Sequence, residues 1–511
     1  MWGLQRETSS SMYKRSSSRD YTPVIDAEDT SGLLPNDVNK AMETTNPPWL
    51  CSLPHVLVAT ISSFLFGYHL GVVNEPLESI SSDLGFRGDT LAEGLVVSVC
   101  LGGAFLGSLF SGGVADVLGR RRAFQLCALP MILGAFVRSC CCCHLLLILE
   151  CVSLSGVSNS LAVMLLGRFL VGTGMGLGPP VAALYVTEVS PAFVRGTYGS
   201  FIQIATCLGL MGALFIGIPV HNITGWWRIC FWVSTIPAAA LALGMFFCAE
   251  SPQWLFKQGK IAEAEAEFER LLGGSHVKTA MAELHKLDLD RADEPDVVSL
   301  SELLYGRHSR VVFIGSTLFA LQQLSGINAV FYFSSTVFKS AGVPSDLANT
   351  FVGISNLLGS LIAMVLMDKV GRRLLLLWSF TGMAVAMALQ VGATSSYLPH
   401  FSALCLSVGG TLVFVLTFAL GAGPVPGLLL PEIFPSRIRA KAMALCMSVH
   451  WVINFFVGLL FLRLLEKLGP RLLYSTFSTF CLMAVMFVKR NVIETKGKTL
   501  QEIEISLLAK P

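Results

Sequence analysis

The chain is 511 residues long, 53% apolar and 14% charged, with a net charge of +2. Soluble domains carry roughly 25% charged residues, so the charges are too few for a water-facing surface and the composition fits a chain solvated mostly by lipid. The near-neutral balance excludes nucleic acid or an acidic macromolecule as an expected partner.

Residues 1–50 are polar and rich in Ser and Thr, with no apolar run that could serve as a secretory signal. Arg6, Lys14, Arg15 and Arg19 outweigh Glu7 and Asp20, a weak likeness to an organelle transit segment, while Asp26, Glu28 and Asp29 limit its length. A disordered tail is expected here.

Beyond the tail, apolar segments long enough to cross the hydrocarbon, about 20 residues, recur near 54–76, 91–115, 123–143, 161–187, 198–220, 229–248, 309–334, 347–367, 374–394, 401–428, 441–463 and 471–488. Six precede and six follow a polar stretch at 250–308, in which Ala262–Leu272 and Thr279–Asp288 read as amphipathic helices. The expected organisation is therefore a tail (1–50), a six-helix bundle (51–248), a helical linker (249–308), a second six-helix bundle (309–488) and a short tail (489–511). Arg120–Arg122, the linker, Arg372–Arg373, Arg437–Lys441 and Lys489–Lys498 fall on alternate loops, which places them, with both termini, on the cytosol-equivalent side.

The pattern Asp-x-x-Gly-Arg-Arg occurs at Asp116–Arg121 and again at Asp368–Arg373, and each copy is followed by a Glu-x6-Arg pair, Glu188 with Arg195 and Glu432 with Arg439. Doubling of this kind indicates two related halves. An Arg at a helix end can bond a carboxylate bidentately and also cap neighbouring carbonyls, so each cluster reads as a latch, kept modest in strength by partial solvation. The Asp copies are 252 residues apart but the Glu copies only 244, which leaves eight extra residues in the first half. They fall most naturally in Arg138–Ser160, which also holds Cys140–Cys143.

Gln322-Gln-Leu-Ser-Gly-Ile-Asn328 places three amides in an apolar segment, with Gly326 positioned to loosen the helix, and Gln203, Asn356 and Asn454 lie in other spans. Amides in a lipid-embedded helix are costly without partners. They offer donors and acceptors without net charge, which suits a neutral polyhydroxylated ligand. Gly421-Ala-Gly-Pro-Val-Pro-Gly427 must break its helix, because each Pro removes a backbone donor; broken helices beside a cavity are where transporters bend. His69 in the first span can titrate in the physiological range. Glu75 is expected at the membrane interface, and Asn222–Thr224 forms a glycosylation sequon. Gly497-Lys498-Thr499 lacks the leading Gly of a phosphate loop, since Val492 holds that position. The 14 Cys show no paired or metal-binding spacing. No metal, cofactor or nucleophile–base set is expected, and hence no enzyme.

Several of these motifs resemble those of the sugar porter family of the major facilitator superfamily. They are Ala115-Asp-Val-Leu-Gly-Arg-Arg121, Met367-Asp-Lys-Val-Gly-Arg-Arg373, Leu166-Gly-Arg-Phe-Leu-Val-Gly172, Ala249-Glu-Ser-Pro-Gln-Trp-Leu255 and Glu494-Thr-Lys-Gly-Lys-Thr-Leu500. The resemblance covers about 50–505 and is strongest to the plant plastidic glucose transporters. It implies an all-α major facilitator fold of 12 transmembrane helices and alternating-access transport of a hexose by a monomer in the bilayer. It implies cytosolic latches built from Asp116, Arg120, Arg121, Glu188, Arg195 and Glu250 in the first half and Asp368, Arg372, Arg373, Glu432, Arg439 and Glu494 in the second, closed in the outward-facing state and released in the inward-facing one. The sugar site it implies comprises Gln203, Gln322, Gln323, Asn328, Asn356, Trp451 and Asn454. Proton-coupled relatives carry Asp at the place of His69; facilitated diffusion is therefore expected, with His69 and Arg168 as the candidate proton site if coupling exists. Ala419 and Gly427 depart from an acidic residue and a Trp common at their positions.

A sugar sensor and a channel-like pore are the rival classes; the C-terminal tail of about 20 residues is short for a signalling domain. The plastid inner envelope is the expected compartment, with the plasma membrane or endomembranes as alternatives.

Overall fold

The computed structural model describes residues 48–496, 498 and 502, apart from 140–160, 192, 221, 222, 224, 293–299, 307, 341, 343, 344 and 395–398. Residues 1–47 of the expected tail, the Cys140–Cys143 run, and Asn222 and Thr224 of the sequon lie outside the described residues, while Trp49 and Leu50 already belong to the first helix.

The first half comprises α1 (Trp49–Gly71), a short α2 (Leu77–Asp83), α3 (Thr90–Leu118), α4 (Arg120–Ser139), α5 (Leu161–Val189), α6 (Arg195–Ile216), α7 (Trp226–Val233) and α8 (Thr235–Phe247). The linker holds α9 (Pro252–Lys257), α10 (Ile261–Leu272), α11 (Val277–Ala292) and α12 (Leu300–Tyr305). The second half comprises α13 (Ser309–Leu324), α14 (Ile327–Ser340), α15 (Ser345–Val370), α16 (Arg372–Ala393), α17 (His400–Thr417), a π segment (Phe418–Ala422), α18 (Pro424–Ile433) and α19 (Ser436–Asn491). Among the described residues there is no strand.

Ten stretches are long and apolar enough to cross a membrane, against the twelve spans expected. The shortfall lies at two places. Arg120–Arg122 open α4 with three charges, which lowers its hydropathy. The stretch Lys441–Asn491 covers two expected spans at once, and its helix is interrupted only at Gly469, whose φ is 74°, ahead of Pro470.

Lipid supplies no hydrophobic drive between helices, so they associate by close backbone approach at small residues. Added Cβ atoms at Gly107 and Gly172 would strike the carbonyls of Thr173 and Cys100, which is why α3 and α5 can lie backbone to backbone. The linker carries its own small core of Leu255, Ala264, Phe268, Met281 and Leu284. Trp254 Nε1 donates to Asp116 O at 2.7 Å and Arg270 donates to Phe247 O at 2.5 Å, so α9 and α10 are both tied to the first half.

Candidate transport site and its gates

The two Asp-x-x-Gly-Arg-Arg copies fold alike. Gly119 and Gly371 sit at φ of 86° and 96°, a region that L side chains avoid. Each turn starts a helix whose first N–H groups have no intrahelical acceptor, and a distant Glu supplies one. Glu250 accepts from Arg120 N at 2.9 Å and from Arg121 N at 3.3 Å; Glu494 accepts from Arg372 N at 2.9 Å and from Arg373 N at 3.1 Å. The absence of a Cβ matters doubly, because one at Gly119 would lie 2.8 Å from Glu250 Oε2 and one at Gly371 2.6 Å from Glu494 Oε2. Burial pushes the Glu250 carboxyl above its ordinary range, against the pull of the Ser251, Arg121 and Arg120 N–H groups.

The guanidinium groups complete the parallel. Arg120 donates Nε and a terminal nitrogen to Glu188 at 2.8 and 2.9 Å and another nitrogen to Ala115 O at 3.0 Å. Arg372 donates to Glu432 at 3.2 Å and to Met367 O at 3.2 Å. Arg121 caps the end of α8 through Met245 O and Phe246 O, and Arg373 caps α19 through Lys489 O. The remaining members fit the expectation less well. Asp116 is largely exposed and reaches Arg120 at 3.3 Å. Arg195 is exposed and has no hydrogen bond or ion pair among the described residues, and Arg439 donates to Phe434 O rather than to Glu432. The side chain of Asp368 lies outside the described residues.

One expectation about the latches needs correction. The first-half pair is not partly solvated, since the Arg120 and Glu188 side chains are 3% and 7% exposed. Each latch ties one half to itself, and here it is closed while the opposite face is joined across the halves. On that far face Asn74 donates to Ser334 Oγ at 2.7 Å and accepts from Ser335 N at 2.9 Å, and Glu75 accepts from Asn349 Nδ2 at 2.7 Å and from Ser335 Oγ. Glu75 is therefore buried between helices, not placed at the interface.

Between the two faces, the amides form a chain with one direction. An N–H at residue 426 would serve the carbonyl of Ala422 in a regular helix, and Pro426 has none. Gln322 Nε2 takes its place, donating to Ala422 O at 2.5 Å and to Gly423 O at 3.3 Å. That fixes the Gln322 amide with its oxygen toward Gln323, whose Nε2 donates to it at 3.3 Å and also bonds His450 Nδ1 at 2.9 Å. The Gln323 oxygen then accepts from Asn328 Nδ2. Gly326, at φ 87°, separates α13 from α14 and turns Asn328 back toward Gln323.

The other expected residues form two further groups. Gln203 and Asn356, from opposite halves, meet at Cys207, which lies 3.7 Å from Gln203 Nε2, 3.4 Å from Asn356 Nδ2 and 3.1 Å from Ser360 Oγ. Asn454 accepts from Tyr332 at 3.2 Å. No hydrogen bond among the described residues joins the three groups. Trp451 packs edge-on against Phe66 and His450, and its buried indole N–H has no partner among the described residues. A side chain added at Gly427 would meet open space. His69 is buried against Tyr68, and Arg168 is buried with its Nε on Val96 O at 2.9 Å. The sequence reading missed Cys207, His450 and Tyr332. For Tyr332 and His450 the available signal was a polar group close to an expected amide in the same segment.

Comparison with known proteins bears on these observations. Residues 55–507 match the family model described as sugar (and other) transporter. The chain is 90% identical over 511 residues, all of both chains, to a probable plastidic glucose transporter 2 of Arabidopsis thaliana. It is 32% identical over 465 residues to solute carrier family 2, facilitated glucose transporter member 3 of Canis lupus familiaris, covering 87% of this chain and 90% of that one. The fold resembles a solved structure of the major facilitator proton:xylose symporter XylE bound to 6-bromo-6-deoxy-D-glucose, with a TM-score of 0.74, 28% identity and coverage of 89% of this chain and 99% of that one. Latches repeated in two halves, a broken helix lined by amides and these matches converge, and the chain belongs to the sugar transporter family, whose members carry solutes across membranes and are not enzymes.

Proposed function

We propose that the chain carries a hexose, glucose foremost, across the plastid envelope by facilitated diffusion and alternating access, acting as a single chain. The observation that carries the reading is the directed amide chain from the Ala422 carbonyl through Gln322 and Gln323 to Asn328, with the Trp451 indole, which has no partner among the described residues, in the same region. Such a surface is rich in donors and acceptors and uncharged, as a neutral sugar requires. Each bond to a hydroxyl contributes about 0.5–1.5 kcal/mol net, so a few together bind a sugar and still release it. Gln203 and Asn356 add amides from both halves across Cys207, where a ligand can sense whether the halves are together. The closing contacts at Asn74 and Glu75 and the latches at Arg120 and Arg372 serve the two ends of the cycle.

Names of the relatives support the substrate and the compartment. His69 in place of an acid supports transport without a proton. The test is uptake of labelled glucose into proteoliposomes. Gln322→Ala is expected to abolish most saturable uptake at equal protein in the membrane, and equal uptake would overturn the site. Uphill uptake driven by an imposed pH gradient would overturn facilitated diffusion. A fluorescent protein at the C-terminus, which leaves the N-terminus free, tests the compartment.

A further inference from the structure

Glu75 stands in the turn between α1 and α2 and is 7% exposed. Its carboxylate accepts from Ser335 Oγ on α14 and from Asn349 Nδ2 on α15 at 2.7 Å, so one first-half side chain holds two second-half helices. These donors are themselves linked, Asn349 Nδ2 to Ser335 Oγ at 2.6 Å and Ser334 Oγ to Asn349 Oδ1 at 2.6 Å, and Asn74 enters the same set through Ser334. Arg87 and Lys339 on the same face both reach Glu78, at 2.8 and 3.3 Å. A cavity of about 330 Å³, lined by Asn74, Glu75, Glu78, Arg87, Ser335 and Lys339 among others, lies against the cluster and brings it close to water.

A buried carboxylate has much to gain from hydration. Its bonds to Ser335 and Asn349 cross between the halves and help to keep the far face shut while they are in place. Opening exchanges them for water, so the two states stay close in energy and the side chain sets their ratio. We infer that Glu75 is a positioning residue for transport: it ties the two halves at the face opposite the latches and sets the fraction of molecules open there. The inference rests on the alternating-access reading given above.

The test does not depend on sugar. Cys207 lies between the halves, against Asn356 and Ser360, and is buried. With the intact chain oriented in proteoliposomes, a membrane-impermeant maleimide is added at the far face and labelling of Cys207 is followed by mass spectrometry. Glu75→Ala takes the carboxylate acceptor away from Ser335 Oγ and Asn349 Nδ2 in the closed state and is expected to raise the labelling rate about tenfold, the scale of one lost charge-assisted hydrogen bond. Glu75→Gln, which keeps one acceptor oxygen, is expected to fall between. Cys481, buried in the second half, serves as control and stays unlabelled. An unchanged Cys207 rate in Glu75→Ala overturns the proposal, and so does a parallel rise at Cys481, which would mark general loosening. If Cys207 responds as expected while the native chain carries no glucose, the transport reading falls and the gate assignment stands.

Discussion

Arg120 meets Glu188 through two side-by-side hydrogen bonds of 2.8 and 2.9 Å in a setting that water barely reaches, whereas the equivalent Arg372–Glu432 contact is a single bond of 3.2 Å between side chains 18% and 31% exposed. Removing one member of a buried pair strands its partner at a cost of about 3–5 kcal/mol, while a solvated pair contributes about 0–1 kcal/mol. Glu188→Ala is therefore expected to lower the thermal midpoint in detergent by several times the shift of Glu432→Ala. Equal shifts would show that the two latches are energetically alike despite their different burial.

A second expectation concerns Pro426. Pro426→Ala restores an N–H that competes with Gln322 for the Ala422 carbonyl. Loss of one neutral hydrogen bond corresponds to about 1 kcal/mol, so the half-saturation concentration for glucose should rise about fivefold with maximal flux less affected. Initial-rate uptake over a range of glucose concentrations measures this, and an unchanged half-saturation would detach the amide chain from the broken helix.

Glu250 gives a pH dependence with a defined sign. Burial raises its carboxyl, so the folded chain binds that proton more tightly than the unfolded chain does. The contribution of the group to stability is then full below the unfolded value and falls as pH rises through the folded one. Glu250→Gln cannot ionise and removes this slope. The melting difference, native minus variant, is expected to move in favour of the native chain as pH falls through the mildly acidic range. A difference that moves the other way would mean that the N–H groups of Arg120, Arg121 and Ser251 outweigh desolvation.

Gly371→Ala combines a φ of 96° with displacement of Glu494. Left-handed backbone alone costs about 1–2 kcal/mol for a residue with a Cβ, so the thermal midpoint should drop by more than strain alone predicts. Gly196→Ala, in a helix and with open space around it, is the control and is expected to leave the midpoint unchanged or raise it slightly.

The latches were legible because charge is rare in this chain and the same spacing occurs twice; Gly119 and Gly371 then do in space what the pattern promises. Gln322, Gln323 and Asn328 were legible for the same reason, as polar groups in an apolar run. Arg195 was over-read, since spacing from Glu188 fixes its place along the chain and says nothing of where its side chain finds a partner. Glu75 was under-read, because its partners Ser335 and Asn349 in the other half are 260 and 274 residues away and no local pattern announces them. Cys207 escaped notice because a cysteine in an apolar helix passes for packing until Asn356, 149 residues away, arrives beside it. The spans were counted more finely in the sequence than in the folded chain, where one glycine is the only break between the last two.

The linker core, fastened to the first half by Trp254 on Asp116 and by Arg270 on Phe247, makes a usable pointer. A dye on its exposed Lys260 rides with the first half, while a dye on Lys489, at the end of α19, rides with the second. Energy transfer between the two would report the proposed rocking of the halves as light, so that a single carrier could be followed without a sugar label or a second membrane compartment.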